Sequence, residues 1–227
     1  MGITIAVDGP ASSGKGTVAR AVARALGYAY VDTGAMYRSV ALVASRRGVG
    51  WDDEPALADL AAGLSFRFGW DGARLRVEVD GEDVTAAIRA DTFGTGASRV
   101  SRLPRVRAAL LDLQRALGAA GGVVMDGRDI GTVVLPAADL KVYLDADVHE
   151  RARRRHAEIV GRGEASSLDE VLAAMIERDR QDMGRAVAPL RPADDAVILD
   201  STSLSPDEVV ARVLDLARRL APGAGLH

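Results

Sequence analysis

The chain has 227 residues, of which 48% are hydrophobic and 27% charged, with a net charge of −3 and no cysteine. This composition is typical of a soluble globular protein with a substantial core, and it excludes disulfides and thiolate catalysis. The acidic balance argues against a surface for DNA or RNA and favours small anionic ligands. No apolar run reaches bilayer length and no secretory signal is recognisable, so we predict a cytoplasmic protein without membrane contact. The three histidines lack the spacing of metal ligands, so no zinc site is predicted at His149, His156 or His227.

Short apolar runs rich in β-branched residues alternate with helical patterns along the chain. The five predicted strands are residues 3–7, 28–32, 122–127, 140–146 and 196–201. The predicted helices are 15–26, 36–46, 104–118, 148–160, 168–181 and 206–220. This alternation predicts an α/β fold, a doubly wound parallel sheet with its ligand site at the carboxyl ends of the strands. The last residues, 221–227, are predicted to be a loose tail.

The second and third predicted strands are too far apart for one ordinary crossover, which indicates an insertion. Alternating runs at 64–70 and 73–79, with a weaker one at 82–88, flank two Asp-Gly turn signals. Such a pattern predicts a small antiparallel sheet. We interpret residues 64–87 as a lobe that overhangs the site, although a surface decoration without ligand contact fits the same pattern.

The first strand runs directly into a glycine-rich turn, GPASSGKGT at residues 9–17. The glycines at 9, 14 and 16 allow the backbone to turn tightly and approach an anion, and the following helix adds N–H groups and the positive end of its dipole. The pattern G-x4-G-K-[ST] of a nucleotide-binding P-loop is met through Lys15 but not by the next residue, because Gly16 precedes Thr17. The Thr17 hydroxyl can still reach a nucleotide-bound magnesium ion. The sequence therefore predicts a phosphate cradle, with a glycine turn used only for packing as the alternative.

The chain resembles the bacterial cytidylate kinases, which are P-loop nucleoside monophosphate kinases. The resemblance rests on several blocks in order besides the P-loop: DTGAMYR at 32–38, GEDVT at 81–85, LPRVRAAL at 103–110, DGRDIGTVV at 126–134, ERDRQDMGRAVAPL at 177–190 and ILDST at 198–202. It implies a P-loop NTPase-type five-stranded parallel sheet flanked by helices, with a small antiparallel β insert and a helical lid. The implied activity is transfer of the γ-phosphoryl group of ATP to CMP or dCMP with Mg²⁺.

The resemblance also implies roles for individual residues. ATP would bind to Gly9, Pro10, Ala11, Ser12, Ser13, Gly14, Lys15, Gly16 and Thr17, with Lys15 catalytic and Thr17 helping the metal. The acceptor nucleotide would bind to Asp32, Thr33, Arg38, Ser98, Arg107, Arg128, Asp129, Arg178, Asp182 and Arg185. Within that set, the arginines at 38 and 128 would hold the acceptor phosphate, with Arg128 and Arg185 also catalytic. Ser98, Arg107 and Asp129 would read the cytosine edge, and Arg178 and Asp182 the sugar hydroxyls.

The basic run RARRRH at 151–156 opens the implied lid, whose arginines would approach the transferring phosphate: Arg151, Arg154 and Arg155. The implied division is a core with the P-loop at 1–62, an acceptor-binding insert at 63–92, core at 93–150, lid at 151–167, and core with the C-terminal helix at 168–227. The partners would be small nucleotides and the protein a monomer.

Several of the assigned residues also have a purely structural interpretation. The alternatives are a salt bridge or surface position for Arg38 and Arg128, a helix cap for Ser98, a solvated helix position for Arg107, a turn carboxylate for Asp129, helix-surface salt bridges for Arg178, Asp182 and Arg185, and a solvated face for the arginines of 151–156.

Two other functions remain open from the residues alone. A P-loop kinase of a small hydroxylated metabolite would use Asp32 as general base. A non-catalytic nucleotide sensor would bind ATP and move the insert without turnover.

Overall fold

The computed structural model describes residues 2–72 and 74–220. Two compact units make up the chain, one formed by Met1–Tyr28 with Gly121–His227 and the other by Ala29–Ala120. The tail predicted at 221–227, including His227, lies outside the described residues. No helix among the described residues is long and apolar enough to span a membrane.

The strands are β1 Thr4–Asp8, β2 Ala29–Asp32, β3 Phe66–Asp71, β4 Arg74–Val79, β5 Glu82–Asp83, β6 Val123–Gly127, β7 Leu140–Asp145 and β8 Val197–Asp200. The α-helices are α1 Lys15–Leu26, α2 Thr33–Arg46, α3 Glu54–Ala62, α4 Asp91–Val100, α5 Pro104–Gly118, α6 Val148–Gly161, α7 Leu168–Met183 and α8 Pro206–Leu220. A 3₁₀ turn at Ala87–Arg89 and a π-helical turn at Ile130–Val134 complete the regular structure of the described residues.

The larger sheet has five strands in the order β2-β6-β1-β7-β8. β1 lies at its centre and pairs in parallel with β6, from Thr4 opposite Val123 to Asp8 opposite Gly127, and with β7 on its other side. Both neighbours come from far along the chain, and every residue of β6 is buried, as a strand covered on both faces requires. The predicted parallel sheet flanked by helices is confirmed.

The smaller sheet belongs to the second unit and is antiparallel, with the order β3-β4-β5. Its second turn is Asp80-Gly81, and both residues have positive φ, +51° and +83°. Two successive positive φ values are the geometry of a type I′ hairpin turn, which Asp-Gly favours. The predicted antiparallel sheet is therefore confirmed. Its third strand, predicted within 82–88, is limited to the two residues of β5. Thr85 turns its hydroxyl back to accept from the Val77 N–H at 2.8 Å, and the chain then enters the 3₁₀ turn.

Most predicted helices agree with the structure to within two residues at each end, but α2 begins three residues earlier than predicted. Asp32 caps α2 by accepting from the Ala35 N–H at 2.8 Å. The helices α3 and α4 were not predicted. The α3 helix is short and begins with a capping Asp53 and a proline at its first turn. The α4 helix contains glycines, of which Gly96 is needed because a Cβ there would lie 2.7 Å from the Ala41 side chain.

Candidate active site

The turn after β1 forms a tight loop that only particular backbone conformations allow. Gly9 has a φ of +153°, and a Cβ on it would lie 2.1 Å from the carbonyl oxygen of Leu144. Ser12 and Gly14 are left-handed, with φ of +58° and +89°. The loop ends where α1 begins, and no side chain caps this helix or adds negative charge to its first turn. Its first N–H groups thus lack a capping side chain, an arrangement suited to phosphate.

Lys15, the first residue of α1, is 8% exposed. Its Nζ donates to the carbonyl oxygen of Pro10 at 2.9 Å, so the side chain folds back over the loop. Burial above all, and then the charges of Arg128 and Arg178, lower the pKa of Lys15 to about 7 against the opposing effect of Asp126 and Asp182. The ammonium therefore lies among other cations in a position that an anion would stabilise.

Asp8 ends β1 and connects the loop to the segment that follows β6. Its carboxylate accepts from the backbone N–H groups of Ile130 at 2.8 Å and Gly131 at 2.7 Å. Burial raises the pKa of Asp8 to about 7, although these two hydrogen bonds oppose the shift. No role was predicted for Asp8 from the sequence. Its position fixes the π-helical turn directly after Arg128 and Asp129.

Arg128, Asp182 and Arg185 form a buried ion-pair cluster in the first unit. Arg128 Nε donates to Asp182 Oδ2 at 3.0 Å, and Arg185 Nη2 donates to Asp182 Oδ1. Only 2% of the Asp182 side chain and 7% of the Arg185 side chain are exposed. Arg185 lies beyond the end of α7 at Met183. These are not helix-surface salt bridges.

The charges of this cluster act together. Burial alone would raise the pKa of Asp182, yet Arg128, Arg185 and Arg178 lower it below its usual value. Asp129 is 5% exposed and precedes the π-helical turn, where its carbonyl oxygen accepts from the N–H groups of Val133 and Val134. The three arginines around Asp182 therefore keep its carboxylate ionised.

The three arginines predicted for the lid differ in their surroundings. Arg151 is 5% exposed and donates to the carbonyl oxygens of Ala146 at 2.9 Å and Ala11 at 3.3 Å, and to Asp179 Oδ2 at 2.6 Å. Arg154 pairs with Glu150 on its own helix and donates to the loop after β8. The solvated-face interpretation is wrong for Arg151.

Arg155 is the most exposed of the three, with 30% of its side chain accessible. It pairs with Glu158 at 3.1 Å, one turn further along α6. Exposed pairs of this kind are weak and exchange readily for other partners.

Ser201, which follows β8, contacts the loop after β1. Its hydroxyl donates to the Ser13 carbonyl oxygen at 3.0 Å, and Arg154 donates to both the Ser201 hydroxyl and its carbonyl oxygen, at 3.2 and 2.7 Å. The side chain is buried. Ser201 lies in the motif ILDST at 198–202, but no role was predicted for it, since nothing local in the sequence indicates a contact with Ser13.

In the second unit, Asp32 and Arg38 form an ion pair at the start of α2. Arg38 Nη2 donates to Asp32 Oδ2 at 2.7 Å, while Oδ1 caps the helix. Thr33, the first residue of α2, is buried. Both carboxylate oxygens of Asp32 are therefore engaged, which disfavours its use as a general base.

Arg107 and Ser98 also lie in the second unit. Arg107 is 8% exposed, its guanidinium carbon lies 5.7 Å from the centre of the Tyr37 ring, and Nη1 donates to the Ser101 carbonyl oxygen at 3.3 Å. The solvated interpretation of Arg107 is therefore wrong. Ser98 lies in the last turn of α4 and is not a helix cap at its N-terminus.

A divalent cation at the loop after β1 would take most of its ligands from a bound nucleotide and from water. Among residues 2–72 and 74–220, no group of three or more His, Asp or Glu side chains could hold a metal ion. Mg²⁺ in nucleotide sites needs few protein ligands, because phosphate oxygens and water supply the rest. Thr17 is exposed in the first turn of α1, and its hydroxyl oxygen is the type of ligand that Mg²⁺ prefers.

Comparison with known proteins gives consistent relatives along the whole chain. The sequence model of the family described as "Cytidylate kinase" matches residues 5–219. A protein of Geobacter sp. (strain M21) named "Cytidylate kinase" is 48% identical over 98% of this chain and 96% of its own length. A protein of Chromobacterium violaceum with the same name is 51% identical over 93% of each chain.

Among solved structures, an uncharacterized protein from Eubacterium ventriosum matches with a TM-score of 0.51 over 95% of this chain and 98% of that one. At 11% identity, this likeness concerns the fold alone.

Proposed function

The chain belongs to the cytidylate kinase family, and from this premise we propose that it transfers the γ-phosphoryl group of ATP to CMP or dCMP, giving ADP and CDP or dCDP. The observation that carries the proposal is the concentration of cations around Lys15. Besides burial, the largest cause, Arg128 and Arg178 lower the pKa of Lys15 against the opposing effect of Asp126 and Asp182, so positive charges act on Lys15 at this position. A polyanionic substrate would offset these charges, and the same charges would then stabilise the transfer of a phosphoryl group.

The donor phosphates would lie on the loop after β1. Backbone N–H groups of the loop at residues 9–17, to which Pro10 contributes none, and of the first turn of α1 would bind the phosphate oxygens together with Lys15. Mg²⁺ would neutralise charge on the donor phosphates and orient them, and Thr17 would hold it directly or through water. The unusual Gly16 moves the hydroxyl by one position but does not remove it.

The acceptor needs no general base, because a nucleoside monophosphate presents an oxygen that is already anionic. Arg38 and Arg128 would bind its phosphate, and the bidentate fork of arginine gives direction as well as charge. Arg185 would stabilise the transferring group. The engagement of both Asp32 oxygens supports this function over a hydroxyl-phosphorylating kinase with Asp32 as base, and Asp32 and Thr33 would instead position the acceptor site.

The base would be recognised through its amino edge. Cytosine offers acceptors at O2 and N3 and a donor at N4, so a selective pocket needs donors and one carboxylate. Ser98 and Arg107 would donate and Asp129 would accept from N4. The burial of Arg107 and Asp129 supports this assignment, because a hydrogen bond from a base to a buried charged group is stronger than one made in water.

Two further groups would complete the site. Arg178 and Asp182 would contact the sugar hydroxyls. Of the arginines predicted for the lid, Arg155 is the best candidate to reach the transferring phosphate, because Arg151 and Arg154 bind protein carbonyl oxygens instead. Closure of the lid would exclude water from the transfer.

Initial rates of ADP formation with CMP, dCMP, UMP and AMP, each with ATP and Mg²⁺, test the function. We expect CMP and dCMP to be the preferred acceptors. ATP binding without turnover in the presence of CMP would indicate a sensor, and turnover only with a polyol or hydroxy acid would indicate a metabolite kinase. We propose that the enzyme acts as a cytoplasmic monomer on small nucleotides and not on nucleic acid, in keeping with its net charge of −3.

A further inference from the structure

Two carbonyl groups of the loop after β1 are held from outside the loop. Arg151 donates to the Ala11 carbonyl oxygen, and the Ser201 hydroxyl donates to the Ser13 carbonyl oxygen. Both donors come from residues that lie more than 130 positions further along the chain, and both are buried. Neither contact needs a nucleotide.

A carbonyl group and the N–H group of the next residue belong to one rigid peptide plane and point in opposite directions. A donor that fixes the Ala11 oxygen therefore also fixes the direction of the Ser12 N–H. The contact at the Ser13 oxygen fixes the Gly14 N–H in the same way. Since phosphate is bound by loop N–H groups, hydrogen bonds on the carbonyl side set the geometry on the phosphate side.

Both donors are themselves held by neighbours. Asp179 accepts from Arg151 at 2.6 Å in a charge-assisted hydrogen bond. Both residues are buried, with 8% of Asp179 and 5% of Arg151 exposed. Arg154 donates to the Ser201 oxygen at 3.2 Å, which leaves the hydroxyl hydrogen of Ser201 to point at the loop.

We propose that Asp179 and Ser201 are positioning residues for ATP: they aim the phosphate-binding N–H groups of the loop without touching the nucleotide, Asp179 through Arg151 and Ser201 directly. The inference rests on the proposed function, because the ligand affected is the ATP phosphate chain. A purely structural role would lower stability alone. A positioning role changes the affinity for the donor nucleotide and leaves that for the acceptor unaltered.

The first variants are Asp179→Asn and Ser201→Ala, and the controls match them closely. Glu177→Gln removes an acidic partner from the same helix, where Glu177 pairs with Arg180 at the surface. Ser203→Ala removes an exposed hydroxyl from the loop that contains Ser201. The dissociation constant of ADP, measured by calorimetry, and the KM values for ATP and CMP are determined for each, together with the thermal midpoint.

We expect the ADP dissociation constant and the ATP KM to rise on the order of tenfold in both variants, because small misplacements of binding groups weaken a phosphate site strongly. The KM for CMP stays within about twofold, as do all constants in the two controls. If Asp179→Asn does not fold, Ser201→Ala decides, since it removes one hydroxyl and no charge.

Unchanged ADP affinity, or an equal rise in the KM of ATP and CMP, overturns the inference. ADP binding is measured without an acceptor, so this result is independent of which nucleotide the enzyme phosphorylates. Failure of the wild-type protein to use CMP would instead contradict the proposed function.

Discussion

Asp182 binds Arg128 and Arg185 at the same time, one through each carboxylate oxygen, in surroundings where only 2% of the Asp182 side chain is accessible. A carboxylate between two arginines keeps both guanidinium groups in fixed directions before any substrate arrives. The cluster therefore couples two residues proposed for phosphoryl transfer to a third proposed for sugar recognition.

Asp182→Asn should lower kcat/KM on the order of 100-fold with CMP and with dCMP alike. Loss of one partner of a buried charge pair costs roughly 2–5 kcal/mol, and both arginines lose their orientation whichever sugar is bound. Initial rates with the two acceptors measure the effect, and Asp194→Asn, which changes a fully exposed carboxylate, is the control. A loss confined to CMP would show instead that Asp182 acts mainly on the 2′-hydroxyl.

ADP binding at pH 8 should take up a proton. The Lys15 side chain has a pKa of about 7 without ADP, so at pH 8 it is mostly the neutral amine. A phosphate beside it favours the charged ammonium and raises the pKa. Calorimetry in buffers of different ionisation enthalpy should give uptake approaching about one proton at pH 8 and close to none at pH 6. Lys15→Met should abolish the buffer dependence; its persistence in that variant would assign the proton to another group.

Asp129→Ala should reduce the use of CMP more than the use of UMP. Uracil has a carbonyl where cytosine has the amino group, so only cytosine loses a hydrogen bond to this carboxylate. Each buried hydrogen bond to a charged group contributes about 1.5–3 kcal/mol, so the CMP/UMP ratio of kcat/KM should fall on the order of tenfold or more. Equal losses for both nucleotides would contradict the assigned role.

Thr17→Val should raise the Mg²⁺ concentration needed for half-maximal rate by about tenfold, because it removes the hydroxyl proposed to hold the ion or its water. Thr17→Ser keeps the hydroxyl and should behave as the wild type. The side chain is exposed, so neither change should alter the thermal midpoint much. An unchanged Mg²⁺ requirement in the valine variant would exclude Thr17 from the metal site.

Gly9→Ala should lower the free energy of unfolding by about 1–3 kcal/mol, because its Cβ would lie 2.1 Å from a backbone oxygen that cannot rotate away. Gly69→Ala is the matched control, since nothing lies within 4 Å of a Cβ at that position. Chemical denaturation of both variants measures the difference. If both variants unfold at the same denaturant concentration, the close approach at Gly9 is not a constraint.

Local sequence patterns were sufficient to predict much of the fold. The helices α1, α5 and α8 begin and end as predicted. Their starts were predictable because each has a clear signal there: the P-loop lysine for α1, and Pro104 and Pro206 for the other two. The hairpin at Asp80-Gly81 was equally predictable from its turn residues. By contrast, α4 carries glycines that are unfavourable in a helix, and the reason for Gly96 is its packing against Ala41, which no local pattern shows.

The candidate site was predictable where a motif carries the chemistry, and not where long-range contacts do. Lys15 and Thr17 follow from a continuous pattern of glycines. Ser201 and Asp179 do not, because their importance lies in contacts with residues distant in the chain. The burial of Arg151 could not be predicted from the sequence either. The RARRRH run has the composition of a solvated helix face, yet Arg151 donates to three acceptors.

The bond from Ser201 to Ser13 joins positions that are 188 residues apart. During synthesis on a ribosome, the P-loop emerges well before the hydroxyl that contacts it, because Ser201 follows Ser13 by 188 positions. β1 likewise waits for β6 and β7 before either of its edges is paired. A nascent chain truncated before residue 123 would contain the whole GPASSGKGT motif but neither strand that pairs with β1, so we expect it to bind nucleotide more weakly than the full chain.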